Sequence, residues 1–151
     1  MGDAIVIDRV RKVALDYIKS FAGTPYLWGG DDPSGFDCSG LAVEFCKAGG
    51  ALPRKGDLSS RGLFRSFSDH AVSRPYPGCL VFYSSKSDPE RINHVEICLD
   101  RHFALGASGG GSKTVSLEDA ARMNAYVKVR PIVRDRPIVG YVDPFLAALW
   151  V

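Results

Sequence analysis

The sequence lacks the features that mark several common classes of protein. No apolar run approaches the roughly 20 residues that a helix needs to cross a bilayer. The formal net charge is only +2 over 151 residues, with acidic and basic residues interspersed, which gives no argument for a nucleic acid or an anionic membrane as partner. The three histidines and four cysteines form neither a Cys-x-x-Cys pair nor a His-Glu-x-x-His motif. No metal site or other cofactor is therefore predicted.

The first residues also lack a recognisable targeting signal. Asp3 and Asp8 lie where a secretory signal peptide would carry basic residues and then a long apolar run. Position 6 is valine, whereas N-myristoylation requires serine or threonine there. The chain as given is therefore predicted to be cytoplasmic at synthesis, so that action outside the cell would need a separate route of delivery.

The length and composition are sufficient for a buried core without disulfide cross-links. The chain has 151 residues, of which 46% are hydrophobic, and it shows no internal repeat or linker. We therefore expect residues 1–151 to form a single domain. Three of the four cysteines, Cys46, Cys79 and Cys98, fall inside predicted helices or strands and are expected to be buried free thiols.

Helical patterns come first along the chain. Apolar residues at helical spacing predict one helix over residues 4–22 and another over residues 38–47. Four glycines and two prolines within residues 23–37 predict a loop between the two helices. A further short helix is predicted within residues 58–68.

Strand patterns follow in the second half of the chain. Five short strands are predicted, at residues 79–83, 94–99, 103–107, 127–133 and 138–142. In the second of these strands a period of two places His94, Glu96 and Cys98 on the face opposite three apolar residues. Helices followed by a meander of strands predict an α+β fold, in which N-terminal helices pack on one face of a mostly antiparallel sheet of about five strands.

Cys38 lies at the predicted junction of the glycine-rich loop with the second helix. The free N–H groups and the positive dipole of a helix start favour a thiolate, which makes Cys38 a candidate nucleophile, although a structural role is the common one for such a cysteine. Catalysis would require a base. His94 is the candidate, because packing its strand against the helix of Cys38 would bring the two side chains together, whereas His70 and His102 lie in a loop and a turn.

Five segments carry a resemblance to a known family, in the family's order and spacing. They are Gly23-Thr24-Pro25-Tyr26-Leu27-Trp28-Gly29-Gly30, Gly35-Phe36-Asp37-Cys38-Ser39-Gly40-Leu41, Leu52-Pro53-Arg54, Pro77-Gly78-Cys79-Leu80-Val81-Phe82 and Asn93-His94-Val95-Glu96-Ile97. Together they resemble the NlpC-type cell-wall peptidases, a papain-like family of cysteine peptidases, over roughly residues 8–112. The resemblance implies a papain-like fold and hydrolysis of an amide bond in the stem peptides of peptidoglycan, typically next to D-glutamate and a diamino acid.

The resemblance also implies roles for individual residues. Cys38 would be the nucleophile, and His94 the general base. Tyr26, Asp37 and Ser39 match positions that hold the free N-terminal amine of the substrate, and a carboxylate beside a phenol suits an ammonium group. Asp37 also fits the role of helix N-cap, and Tyr26 that of a packing residue.

The match fails at the residue that orients the histidine. Family members usually carry a third polar residue, most often histidine, on the strand after the histidine strand, and Gly106 occupies that position here. Glu96 replaces a residue that is commonly small, and it is one candidate substitute, although residues two apart on a strand lie about 7 Å apart. A backbone carbonyl or a water molecule is the other.

The sequence therefore predicts a peptidoglycan endopeptidase with a cysteine nucleophile. A phage-associated lysin is the preferred version, so that a phage tail or a secretion apparatus is a predicted partner that delivers the domain to the cell wall. Another papain-like amidase or acyltransferase is an enzymatic alternative. The non-enzymatic alternative is a weak or inactive papain-like module that binds wall peptide or a partner protein, which glycine at position 106 would favour.

Overall fold

The computed structural model describes residues 2–32 and 34–147. Within them the helices are α1 (Gly2–Lys19), α2 (Cys38–Ala48), α3 (Ser60–Ser66) and α4 (Leu117–Met123). The strands are β1 (Asp31–Asp32), β2 (Gly35–Phe36), β3 (Ala71–Val72), β4 (Leu80–Tyr83), β5 (His94–Cys98), β6 (Phe103–Ser108), β7 (Tyr126–Pro131) and β8 (Ile138–Val142). Two 3₁₀ turns, Ser68–His70 and Pro144–Ala147, contact each other.

The main sheet has the order β3-β8-β4-β5-β6-β7, and every neighbouring pair is antiparallel. The five predicted strands are β4 to β8, and the sixth is the two-residue β3 at the edge. β5 lies inside the sheet, between β4 and β6, and its first residue, His94, pairs with Tyr83 of β4. The α+β class and the antiparallel meander predicted from the sequence are confirmed.

The helices pack on one face of this sheet and close the main core around it. Val95 and Ile97 of β5 point into that core with side chains from α1 and α2, whereas Cys98 joins a smaller cluster on the opposite face. The period-two alternation predicted for β5 is therefore correct. None of the described helices combines the length and apolar character that crossing a membrane requires.

Two local features differ from the sequence-based expectation: the C-terminal end of the first helix, and the loop that follows it. Helix α1 ends at Lys19 rather than at residue 22, because the chain then turns and reaches Gly23 at a φ of +90°, a left-handed conformation that suits glycine. The prediction of plain loop over residues 23–37 was wrong in part, because β1 and β2 form a two-stranded antiparallel ribbon there. Pairs this short leave no detectable periodicity in the sequence.

Candidate active site

Asp37 fixes the start of α2 and thereby the position of Cys38. Its Oδ1 accepts a hydrogen bond from the Gly40 N–H at 2.7 Å, which is the N-cap interaction, and its Oδ2 accepts one from the Gly29 N–H at 3.0 Å. The Ser39 hydroxyl lies 3.3 Å from Oδ1. One carboxylate thus ties the glycine-rich loop to the first turn of the helix, and the N-cap role predicted for Asp37 is confirmed.

The same loop approaches α2 so closely that only glycine fits at the contact. A Cβ on Gly40 would lie 2.0 Å from the carbonyl oxygen of Gly30, which itself accepts a hydrogen bond from the Asp37 N–H at 3.0 Å. The obstructing atom belongs to the backbone and cannot swing aside. Gly40 therefore sets how closely the loop packs against the helix start that presents Cys38.

This contact predicts that Gly40→Ala distorts the site. We expect the free energy of unfolding to fall by about 1–3 kcal/mol, the usual cost of overpacking, together with a loss of activity. Gly62→Ala is the matched control, because a Cβ on this helical glycine meets only side-chain atoms, of Leu58 at 3.3 Å and of Ser59 at 3.4 Å. Alanine also favours the helix by up to about 1 kcal/mol. Urea denaturation of both variants measures the difference, and equal stabilities would contradict the close-contact argument.

Cys38 and His94 line one cleft of about 250 Å³. All five residues predicted from the sequence to form the site contribute to its walls: Tyr26, Asp37, Cys38, Ser39 and His94. The remaining lining residues are Trp28, Ser59, Ser60, Asn93, Ala107, Ser108, Gly109, Gly110, Gly111 and Arg136. Helix α2 supplies the cysteine and strand β5 the histidine, as the packing argument from the sequence predicts.

Burial raises the pKa of the Cys38 thiol to about 11, and the nearby Asp37 carboxylate adds to that rise. Backbone N–H groups of Val95 and Ser39 offset only part of it. Loss of solvation therefore opposes the thiolate that the helix start was expected to favour. Cys38 is a thiol at neutral pH, and a base must take its proton before or during attack.

His94 is the first residue of β5, and only 6% of its surface is exposed. Its Nε2 lies 2.7 Å from Oε2 of Glu96. Burial lowers the pKa of His94, and the hydrogen bond and charge of Glu96 offset this only in part, so the imidazole is neutral at pH 7. The sequence left three options for orienting His94: Glu96, a backbone carbonyl or a water molecule. The described structure contains a direct contact with Glu96, although residues two apart on a strand lie about 7 Å apart.

Two arginines that sequence reasoning missed hold the Glu96 carboxylate. Arg134 donates from Nη1 to Oε1 and from Nη2 to Oε2, both at 3.0 Å, and Arg130 donates from Nη2 to Oε2 at 3.1 Å. Burial alone would raise the pKa of Glu96, but the hydrogen bond with His94 and the charge of Arg134 lower it to about 2. The carboxylate is therefore ionised, although its side chain is fully buried.

A third arginine, Arg136, lines the cleft beside Cys38. Its Nη2 donates to Oδ1 of Asn93 at 2.6 Å and its Nε to the carbonyl oxygen of Ser84 at 3.2 Å. Three arginines lie close together in the sequence, at positions 130, 134 and 136. This cluster was the one sequence signal that could have pointed to their role at the site. Within residues 2–32 and 34–147, no group of three or more His, Cys, Asp or Glu side chains is arranged to hold a metal ion.

The antiparallel sheet with a histidine strand, packed against a helix that begins at a cysteine, defines the chain as a papain-like α+β domain. Over 87% of this chain and 39% of the other, the fold is similar to the crystal structure of an NlpC/P60 family protein from Bacillus cereus, with a TM-score of 0.67 and 22% identity. The chain belongs to the NlpC/P60 family, whose model matches residues 23–131.

Two relatives from Bacillus subtilis show how the domain occurs in longer proteins. The chain is 39% identical over 112 residues to the bifunctional muramidase/DL-endopeptidase CwlT, a match covering 73% of this chain and 32% of that protein. It is 35% identical over 99 residues to a gamma-D-glutamyl-L-lysine dipeptidyl-peptidase, covering 62% of this chain and 32% of that protein. The matched region therefore spans about a third of the length of these relatives.

Proposed function

We propose that the domain is a cysteine peptidase that hydrolyses an amide bond in peptidoglycan stem peptides. The observation that carries this proposal is the presence of Cys38 and His94 in one cleft, in a chain of the NlpC/P60 family. The names of the Bacillus subtilis relatives support a peptide of D- and L-residues as substrate, and one of them favours a γ-D-glutamyl bond. Delivery by a phage tail or a secretion apparatus stays a prediction.

The protonation states of the resting site support general-base catalysis. Because Cys38 is a thiol and His94 is neutral, the imidazole takes the thiol proton as sulfur attacks the carbonyl carbon. The imidazolium then gives that proton to the departing amine, which leaves the acyl group on sulfur as a thioester. Water attacks the thioester carbonyl as it gives a proton to His94, and the C–S bond breaks. The imidazolium returns that proton to the Cys38 sulfur, and the acid product is released.

The start of α2 offers stabilisation for the charge that develops on the carbonyl oxygen. The N–H of Cys38 belongs to the first turn of the helix, where backbone donors have no acceptor within the helix. The positive end of the helix dipole favours an oxyanion at the same place. Cys38 would thus contribute both its thiol and its backbone N–H to the reaction.

Tyr26, Asp37 and Ser39 form the proposed subsite for a free N-terminal amine. All three line the cleft that contains Cys38. Burial raises the pKa of Asp37, and the hydrogen bonds from Gly40 and Gly29 offset this in part. An ammonium group bound against Asp37 would stabilise the ionised carboxylate, so the subsite favours a substrate whose first residue is unblocked.

Acetylation of the substrate amine tests this subsite without altering the protein. We expect an Nα-acetylated stem tetrapeptide to be cleaved with kcat/KM at least about 10-fold lower than the free-amine peptide, the loss of roughly one charge-assisted hydrogen bond. Acetylating only the side-chain amine of the diamino acid in the same peptide is the control. If both acetylated peptides react alike, the three residues do not select an N-terminal ammonium group.

Digestion of purified peptidoglycan tests the proposed function itself. We expect the unmodified protein to release new amino and carboxyl termini within the stem peptide, identified by mass spectrometry, and Cys38→Ala to release none. The buried, free Cys98 lies outside the cleft, and Cys98→Ala is the matched control that should retain activity. If the unmodified protein releases no termini yet sediments with peptidoglycan, the peptidase assignment fails and a binding module remains.

A further inference from the structure

We propose that Glu96 is the positioning residue for His94, having replaced the side chain that position 106 lacks. This inference rests on the proposed function, because it names how the general base of that reaction is oriented. It assigns the task to a residue on the histidine's own strand rather than on the neighbouring one. Three features support this role: the space above Gly106, the contacts of the Glu96 carboxylate, and the proton that those contacts fix on the imidazole.

Gly106 provides the space that the Glu96 side chain occupies. β5 and β6 pair Ile97 with Leu105 and Cys98 with Ala104, and continuing this register places Glu96 opposite Gly106. A Cβ on Gly106 would lie 2.4 Å from Cγ of Glu96 and 2.8 Å from its Cδ and Oε2. The carboxylate that contacts His94 therefore lies where a side chain from position 106 would otherwise project.

The Glu96 side chain and a side chain at position 106 therefore cannot occupy the same space. A glutamate at position 96 is compatible with glycine at 106, whereas any side chain at 106 would displace the glutamate from Nε2 of His94. The absent third residue and the unexpected carboxylate are thus one structural change. Glycine on β6 leaves a space that the longer side chain of Glu96 on β5 fills.

Two arginines keep the Glu96 carboxylate ionised and hold it in one position. Arg134 binds both of its oxygens, and Arg130 binds Oε2, the atom that also contacts His94. The guanidinium of Arg134 in turn stacks over the Tyr83 ring, 4.3 Å from its centroid. A buried charge is costly without such partners, and these partners restrict the carboxylate to one orientation.

The contact selects one tautomer of His94. An ionised carboxylate can only accept a hydrogen bond. The neutral imidazole therefore carries its proton on Nε2, and this N–H donates a hydrogen bond to Glu96. Nδ1 is then left with a free lone pair. That nitrogen is the one available to take the thiol proton, which is the state that a general base requires.

Removing only the charge of Glu96 tests its role. We expect Glu96→Gln to lower kcat/KM about 10- to 100-fold, the effect typical of losing a residue that orients a functional histidine. Both limbs of the pH profile should move to lower pH, because the loss of a negative charge disfavours protonation of His94 and Cys38 alike.

The ionisable groups around the imidazole, from each adjoining element, are Glu96, Tyr83, Cys38, Arg134 and Arg136. Glu44→Gln, at a half-buried glutamate that accepts a hydrogen bond from the Tyr17 hydroxyl outside the cleft, is the control and should change neither quantity.

A double replacement provides the rescue. Glu96→Gly alone should lose activity, and Gly106→His alone should also lose it, because the new side chain collides with Glu96. Glu96→Gly combined with Gly106→His removes that collision and supplies a polar side chain from β6. We expect the double variant to be more active than either single variant. Relief of the collision accounts for the gain over Gly106→His, whereas a gain in kcat over an equally stable Glu96→Gly variant reports a polar side chain restored beside His94.

Two further measurements leave Glu96 itself unreplaced. Gly106→Ala retains every charge but displaces the carboxylate, and it should lower kcat/KM, whereas Gly140→Ala, with no atom closer than 3.5 Å to its new Cβ, should not. In the unmodified protein, ¹⁵N spectra of the histidines should show His94 as the Nε2–H tautomer near neutral pH.

The Nδ1–H tautomer at His94, or unchanged pH limbs in a folded Glu96→Gln variant, would overturn the assignment. The tautomer measurement needs no substrate. It therefore tests the contact between Glu96 and His94 even if the protein proves not to cleave peptidoglycan, and the two failures are distinguishable.

Discussion

Replacing His94 by alanine is expected to lower kcat/KM for a stem-peptide substrate by about 10²–10⁴-fold, the range that a positioned general base contributes. The physical reason is the resting state of the nucleophile. The pKa of Cys38 is raised to about 11 by burial, so at pH 7 the thiol keeps its proton unless a neighbouring base removes it. KM should change much less than kcat, because the proposed amine subsite does not include His94.

His102→Ala is the matched control for this substitution. His102 is exposed at the turn before β6, where its Nε2 accepts a hydrogen bond from Arg101 Nε at 3.1 Å, and it does not line the cleft. Its loss should therefore leave kcat/KM unchanged. Circular dichroism and thermal melting would establish that both variants are folded. A folded His94→Ala variant with activity within a few-fold of the unmodified protein would remove His94 from the reaction.

Asp143→Ala is expected to lower the free energy of unfolding by about 3–5 kcal/mol, the cost of breaking a buried ion pair from one side. Asp143 is fully buried, and its Oδ2 accepts hydrogen bonds from Arg11 and from the Tyr76 hydroxyl. Its Oδ1 accepts one from the Phe145 N–H at 3.1 Å. Without it, the guanidinium of Arg11, on a side chain that is only 14% exposed, would lose its buried counter-charge.

The exposed pair between Lys86 and Asp135 provides the comparison. The side chains there are 69% and 87% exposed, and removing such a pair typically changes stability by no more than about 1 kcal/mol. Guanidinium chloride denaturation of Asp143→Ala and Asp135→Ala would therefore separate the two cases clearly. Equal losses would show that the Arg11–Asp143 contact does not anchor α1 to the end of the sheet.

The sequence predicted the parts of the site that long, regular elements position. The helical apolar pattern after Cys38 and the alternation through β5 were both correct, and the contact between α2 and β5 brings Cys38 and His94 into one cleft. Asp37 was recognisable as an N-cap because a side-chain acceptor just before a helix satisfies its free N–H groups. These features depend on local spacing, which a sequence displays directly.

The remaining features depend on contacts between distant residues and on solvation. The bonds from Arg134 to Glu96 join positions 38 residues apart, through a turn whose path no periodic pattern reveals. The raised pKa of Cys38 comes from burial, which overrides the local effect of the helix start. The contact of Glu96 with His94 required knowing that Gly106 lies opposite and leaves space, which only the register of β5 and β6 shows.

The most direct test of the account is to identify the residue that bonds covalently to a substrate-like electrophile. A stem dipeptide with a free amine and a C-terminal diazomethyl ketone should inactivate the protein, with one inhibitor bound per molecule. Peptide mapping by mass spectrometry is predicted to place that adduct on Cys38, with no adduct on the other three cysteines. Complete inactivation with the adduct on a different residue, and with Cys38 unmodified, would contradict the assignment of Cys38 as the nucleophile.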